Sequence, residues 1–144
     1  THTLDVEIDE GLPLLNLDFV LIEQVLVNLL DNAAKYSESG SPIRLSVRRN
    51  GAAVTVDVVD EGIGIPRNEQ EMIFDRFYRV QGGDGREAGT GLGLAICRGI
   101  IEEHGGTIGV VSPGPSGRGS LFTVSLPVAP DTPVIRPHED YRHE

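Results

Sequence analysis

"IRLSVRRNGAAVTVDVVDEGIGIP", residues 43–66, decides how this chain folds. Residues 43–49 and 53–60 both alternate apolar and polar side chains, the period of a strand with one buried face. Asn50-Gly51 lies between them, and that dipeptide tolerates the positive φ of a tight antiparallel turn. The pair therefore predicts a β-hairpin. Its second strand delivers Asp60 into a turn built on Gly62, Gly64 and Pro66.

Before the hairpin, "LDVEID" (4–9) alternates apolar and acidic residues and reads as a half-exposed strand. Asp18 is placed to cap a long helix, in which Ile22, Val25, Leu26, Leu29, Leu30 and Ala33 recur at spacings of three and four. "SESGSP" (37–42) ends that helix with turn residues. After the hairpin, residues 69–79 predict a short helix with an aromatic cluster, and residues 80–91 form a glycine-rich loop without periodicity. "LGLAICRGIIEEHGG" (92–106) is a second amphipathic helix ending at Gly105-Gly106. Residues 107–112 and 119–128 make two final strands around a Gly/Pro turn. From Ala129 onward the chain is Pro-rich and charged, so 1–128 is expected to be one domain and 129–144 a flexible tail.

Helix–hairpin–helix–hairpin order predicts a two-layer α/β sandwich. Its mixed, mostly antiparallel sheet of about five strands carries three helices on one face. With 144 residues, 39% hydrophobic and 24% charged, the chain suits one soluble domain with a real core. No stretch approaches a membrane span or a signal peptide. The net charge of −10 disfavours nucleic acid and anionic lipid, so a phosphorylated ligand would need local cations, amides or a metal ion. Lys35 is the only lysine. The single cysteine, Cys97, suits a reducing compartment and reads as a small core residue in a helix.

"REAGTGLGLAIC" (86–97) runs from a glycine loop into a helix, whose first N–H groups suit a phosphate. It is no P-loop, because the G-x-x-x-x-G-K-[ST] string is absent. Gly89, Gly91 and Gly93 are misspaced for a dinucleotide fingerprint and follow a loop rather than a strand. A protein-kinase glycine loop would be followed by a strand lysine, which is also missing.

Three other constellations bear on that loop. Asn28, Asn32 and Lys35 share one flank of the first long helix, where two carboxamides can offer oxygens to Mg²⁺ and a lysine can reach a phosphate. Solvated helix-flank residues would look the same. Asp60, ending a strand before Gly62-x-Gly64, can accept from an adenine amine, or be a plain acidic turn residue. Phe74, Phe77 and Tyr78 alternate with Arg76 and Arg79, as a loop anchor with a phosphate-facing arginine or as core aromatics with solvated arginines.

The order and spacing of "NLLDNAAKY" (28–36), "DEGIGIP" (60–66), "FDRFYR" (74–79) and "GTGLGLAI" (89–96) is distinctive. It resembles the N, G1, F and G2 boxes of bacterial sensor histidine kinases. These kinases belong to the ATPase family that includes gyrase B, Hsp90 and MutL, with a Bergerat-type ATP-binding fold. The resemblance covers roughly Leu4 to Val128. Residues 70–80 and 91–108 look most like KdpD-type sensors.

The resemblance implies ATP and Mg²⁺ as ligands. It assigns the metal to Asn32 with Asn28 assisting, and places Lys35 and Tyr36 near the phosphates. Asp60 would read the adenine amine, with Gly62, Ile63 and Gly64 shaping that pocket. Arg79 would begin a lid spanning 80–90, and Gly89, Thr90, Gly91, Leu92, Gly93 and Leu94 would surround the phosphates. Ser120 or Thr123 would support Asp60.

Where gyrase and Hsp90 place a water-activating glutamate, four residues before the metal asparagine, this chain has Asn28. An amide cannot act as a general base. The resemblance therefore implies a kinase that holds Mg-ATP for an external nucleophile rather than a hydrolytic ATPase, an anti-sigma serine kinase or a non-binding module. The histidines are His2, His104, His138 and His143, and none stands in an acceptor helix. His104 ends the second helix, where a cation suits the dipole, and His138-Glu139 lies in the tail. The expected partner is the dimerisation and phosphoacceptor domain of the same parent, with a response regulator engaged indirectly. The expected setting is the cytoplasmic part of a membrane-anchored protein, with no membrane insertion by this domain. The isolated domain is expected to phosphorylate itself poorly.

Overall fold

The computed structural model describes residues 2–13, 15–75 and 93–128. The expectations for the Arg76–Arg79 segment, the lid, His138, His143 and the tail lie outside them. Five strands form one sheet in the order β1-β2-β3-β5-β4. They are β1 (Thr3–Ile8), β2 (Pro42–Asn50), β3 (Ala53–Asp60), β4 (Thr107–Val111) and β5 (Ser120–Pro127). All neighbours are antiparallel except β1 and β2. That one parallel pair follows from the connection, because helix α1 (Phe19–Tyr36) supplies the crossover that parallel strands require. In the hairpin, Asn50 pairs with Ala53, so the turn is Gly51-Ala52, one residue later than the Asn-Gly signal suggests. Gly51 takes φ +64, which a two-residue hairpin turn demands.

Alternation along the central strands sorts their side chains. Val56 and Val58 of β3, with Phe122, Val124 and Leu126 of β5, face the helices. Val25, Leu29 and Ala33 of α1, and Cys97, Ile100 and Ile101 of α2 (Gly93–Glu103), close the core over them. Ile73 and Phe74 enter the same core, and Phe74 meets Phe122 edge-on at 6.2 Å. The short helix expected over 69–79 is, within the described residues, a 3-10 turn at Arg67–Glu69 followed by turns. Among the described residues, two α-helices rather than three cover the sheet.

β1 departs from its expected half-burial. Leu4, Val6 and Ile8 lie opposite Ile43, Leu45 and Val47, yet remain 50%, 50% and 58% exposed. The cause is position, since α1 packs over β2 and β3 and β1 is the sheet's edge.

The helix ends are built as their sequences suggest. Asp18 Oδ1 accepts the Leu21 N–H at 3.1 Å, and Ser37 Oγ closes the other end on the Ala33 carbonyl at 2.6 Å. At the end of α2 the Gly106 N–H reaches the Ile101 carbonyl and the Gly105 N–H that of Glu102, with Gly105 at φ +78. His104 is not used there as a cation. Its Nδ1 donates to the Ile100 carbonyl at 2.8 Å while Nε2 accepts the Asp18 N–H at 3.0 Å. Only the neutral Nδ1–H tautomer satisfies both partners, and it ties the end of α2 to the start of α1.

Gly99, mid-way along α2, is exposed, and a Cβ there would meet nothing within 4 Å. Gly99→Ala should therefore stabilise the domain by about 0.5–1 kcal/mol, by lowering unfolded-chain entropy. A thermal melt showing a lowered midpoint would contradict this.

Candidate functional site

The site begins with strand parity. Asp60 shares the face of Val56 and Val58, so the last residue of β3 turns a carboxylate toward the helices rather than outward. It is 5% exposed. Burial pushes its pKa above the ordinary 3.8. Backbone N–H groups of Gly62 and Ser120 act the other way, and neighbouring Glu61 adds to the rise. Gly62 donates to Oδ1 at 2.8 Å. A buried acceptor held by backbone donors and shielded from water is suited to one further donor from a ligand.

The Gly62–Ile65 loop is wedged between two supports. On one side Ile63 N–H donates to the Tyr36 carbonyl at 3.2 Å, and a Cβ on Gly62 would overlap that carbonyl. On the other, Ile65 N–H donates to Ser112 Oγ at 2.9 Å. Gly64 takes φ +78 with its α-carbon turned toward Ser112 Oγ. Ile63 is 61% exposed, leaving an apolar side chain beside the carboxylate's loop. Backbone glycines, a buried carboxylate and an open apolar surface together form a bed for a flat, amine-bearing ring.

On α1, Asn28 and Asn32 are half-buried and Lys35 is exposed. Asn28 hydrogen-bonds the Cys97 thiol, which places this flank at the seam with α2. Cys97 is fully buried, its pKa pushed up to about 11 by burial against the smaller opposing effect of Asn28. It is packing, not a nucleophile. Among the described residues no group of three His, Cys, Asp or Glu side chains could hold a metal. A divalent ion here would thus depend on amide oxygens, water and ligand phosphates, the habit of Mg²⁺.

The described structure gathers Tyr36, Asp60, Gly62, Ile63 and Gly64 at one place, with Asn28 and Asn32 along the adjoining helix. Gly93 and Leu94 open α2, and Leu94 also packs against the core. Arg79, Gly89, Thr90, Gly91 and Leu92 lie outside the described residues. Thr123 does not support Asp60: its Oγ1 donates to Asp57 at 2.9 Å, on the sheet face away from the helices. Ser120, paired with Asp60 across the strands, is the residue that supports it. Thr123 and Asp60 differ in strand parity, so one cannot reach the other's face. Two contributors carried no motif signal, Ser112 and Gln70; both lie outside the four boxes.

Residues 17–130 match the model of the histidine kinase-, DNA gyrase B- and HSP90-like ATPases. The chain belongs to that ATPase family. Among its curated relatives, the sensor protein KdpD of Clostridium acetobutylicum is 41% identical over 128 residues, 88% of this chain and 14% of that one. The adaptive-response sensory kinase SasA of Crocosphaera subtropica is 46% identical over 85% of this chain and 31% of its own. This ATPase-family chain spans under a third of the length of these relatives. Its fold is shared with solved kinase domains. The mycobacterial sensor histidine kinase MprB has a TM-score of 0.80 at 26% identity, over 93% of this chain and 86% of the other. The catalytic domain of histidine kinase ThkA has a TM-score of 0.75 at 32% identity, over 90% and 82%. Family members of the sensor-kinase kind are thus similar to this chain in both sequence and fold.

Proposed function

We propose that this domain binds Mg-ATP and donates its γ-phosphoryl group to a histidine on a separate dimerisation domain of the same parent protein. The observation that carries the reading is Asp60, a buried strand-end carboxylate beside a glycine loop pressed against α1. Asp60 accepts from the adenine 6-amino group while Ile63 lies against the ring. Asn32, assisted by Asn28, holds the Mg²⁺, and Lys35 neutralises phosphate charge one turn further along. When bound, Mg²⁺ supplies charge neutralisation between phosphate oxygens. Asn28 cannot deprotonate a water, so the bound nucleotide waits for an outside nucleophile.

The domain is proposed to work as the cytoplasmic part of a larger sensor, passing phosphate indirectly to a response regulator. Among the described residues, no helix is long and apolar enough to cross a membrane. Alone, it is expected to phosphorylate itself poorly, because phosphoryl transfer needs an acceptor placed in line.

A calorimetric titration with ATP, with and without Mg²⁺, tests the reading. The parent chain should bind Mg-ATP more tightly than ATP alone, and Asn32→Ala should abolish that difference, a loss of about tenfold. Equal affinity with and without the metal in the parent chain would remove Asn32 from the metal role. The absence of any heat would sink the ATP reading.

A further inference from the structure

The recognition of a base by Asp60 requires the loop from Gly62 to Ile65 to keep its place, although two of its four residues are glycines. Its inner side rests on Tyr36. Its outer side is held by two side chains, Ser112 from 47 residues further along the chain and Gln70 from five. Ser112, at the end of β4, accepts the Ile65 N–H at 2.9 Å and donates to the Gly119 carbonyl at 2.7 Å. Gln70 Nε2 donates to the Ile65 carbonyl and to the Ser112 carbonyl, each at 3.0 Å. Ile65 is thus gripped at both its N–H and its carbonyl.

The Ser112 hydroxyl also reaches the other wall of the pocket. Gly119, its acceptor, has φ +69 and lies so close to the Asp60 backbone that a Cβ would overlap the Asp60 carbonyl. The next residue, Ser120, pairs with Asp60 and donates its N–H to that carboxylate. One hydroxyl therefore connects the glycine loop to the strand that holds the carboxylate.

We infer that Ser112 and Gln70 are positioning residues that set the distance between the glycine loop and Asp60, and so the selectivity for a 6-amino purine. This rests on the ATP reading above. Both side chains bond backbone groups of the protein itself. Each acts through Ile65 and Gly119, so the triphosphate contacts along α1 do not depend on them. Loosening the latch should weaken recognition of the base and leave phosphate binding in place.

The full chain should be titrated with Mg-ATP and with Mg-inosine triphosphate, which has a carbonyl acceptor where adenine has its amine. Amide hydrogen exchange at Ile65 should be followed without nucleotide. Ser112→Ala should weaken ATP about tenfold with little change for inosine triphosphate, collapsing the ratio between them, and should speed exchange at Ile65. Ser112→Thr, which keeps the hydroxyl, should restore most of the ratio. Gln70→Met should lower it several-fold. An equal loss for both nucleotides, or faster Ile65 exchange with the ratio intact, would overturn the positioning role and leave ATP binding standing. Failure of the unmodified chain to bind either nucleotide would instead overturn the ATP reading, and the selectivity role with it.

Discussion

Asp60→Asn should weaken Mg-ATP binding by roughly 10- to 100-fold while leaving the free domain as stable as before, or more so, near neutral pH. The loss follows from removing a charged acceptor, whose hydrogen bonds are worth about 1.5–3 kcal/mol. An asparagine that keeps its oxygen on the Gly62 N–H would turn its own amine toward the adenine amine, donor against donor. The stability result follows from burial, which raises the Asp60 pKa above 3.8. The folded chain then holds that proton more tightly than the unfolded chain does. The carboxyl's favourable contribution is complete below 3.8 and is lost as pH rises through the folded value. Asparagine never ionises, so it should gain on aspartate as pH rises from 3.8 through the folded value. Thermal melts of both proteins across that range, with a titration at neutral pH, check the two halves separately. A variant that melts several degrees lower at neutral pH would make Asp60 a structural residue. One that binds ATP normally would take the base-reading role from it.

Gly62→Ala should damage fold and site together. A Cβ at this position would overlap the carbonyl group of Tyr36 and approach Asp60 Oδ1 at 3.2 Å. The Tyr36 carbonyl ends α1 and cannot swing aside as a side chain would. Either the last turn of α1 or the glycine loop must move, a cost of about 1–3 kcal/mol. The thermal midpoint should fall by about 3–15 °C, and ATP affinity by more than tenfold, since the loop and Asp60 are displaced together. Gly99→Ala is the matched control, the same added methyl in open space. If Gly62→Ala melted like the parent chain, the loop would not be seated against α1 and this account of the pocket would fail.

Much of the architecture could be read without coordinates because it is local. The hairpin and the Asp18 cap each depend on a few neighbouring residues, and α1's face on a repeat within one segment. Asp60 ends its strand by the same logic, since period-two alternation runs straight into a glycine turn. β1 is more exposed than its alternation implies, because alternation shows which side chains share a face, not whether a helix covers it. The side chains of 69–79 are helix-compatible, yet among the described residues 70–74 form turns, with Ile73 and Phe74 buried. The helix dipole alone would favour a cation at the position of His104. Its neutral form comes from an N–H donated by Asp18, 86 residues away.

By itself, the sequence determined the hairpin, the cap of α1, the apolar faces of both helices and the four motifs that place this chain in its ATPase family. All of these are set by spacings within single segments, where backbone geometry dictates which residues coincide. Only the tertiary structure decided that Ser120 rather than Thr123 supports Asp60, and that Ser112 and Gln70 hold the glycine loop. The Ser112 and Ser120 pairings join segments 42 to 60 residues apart, through the register of β3 on β5 and the closure of the β4–β5 turn, whereas Gln70 reaches Ile65 from five residues away. No local periodicity encodes such a distance. The register is settled by burying the whole core at once, and the site inherits its geometry from that burial.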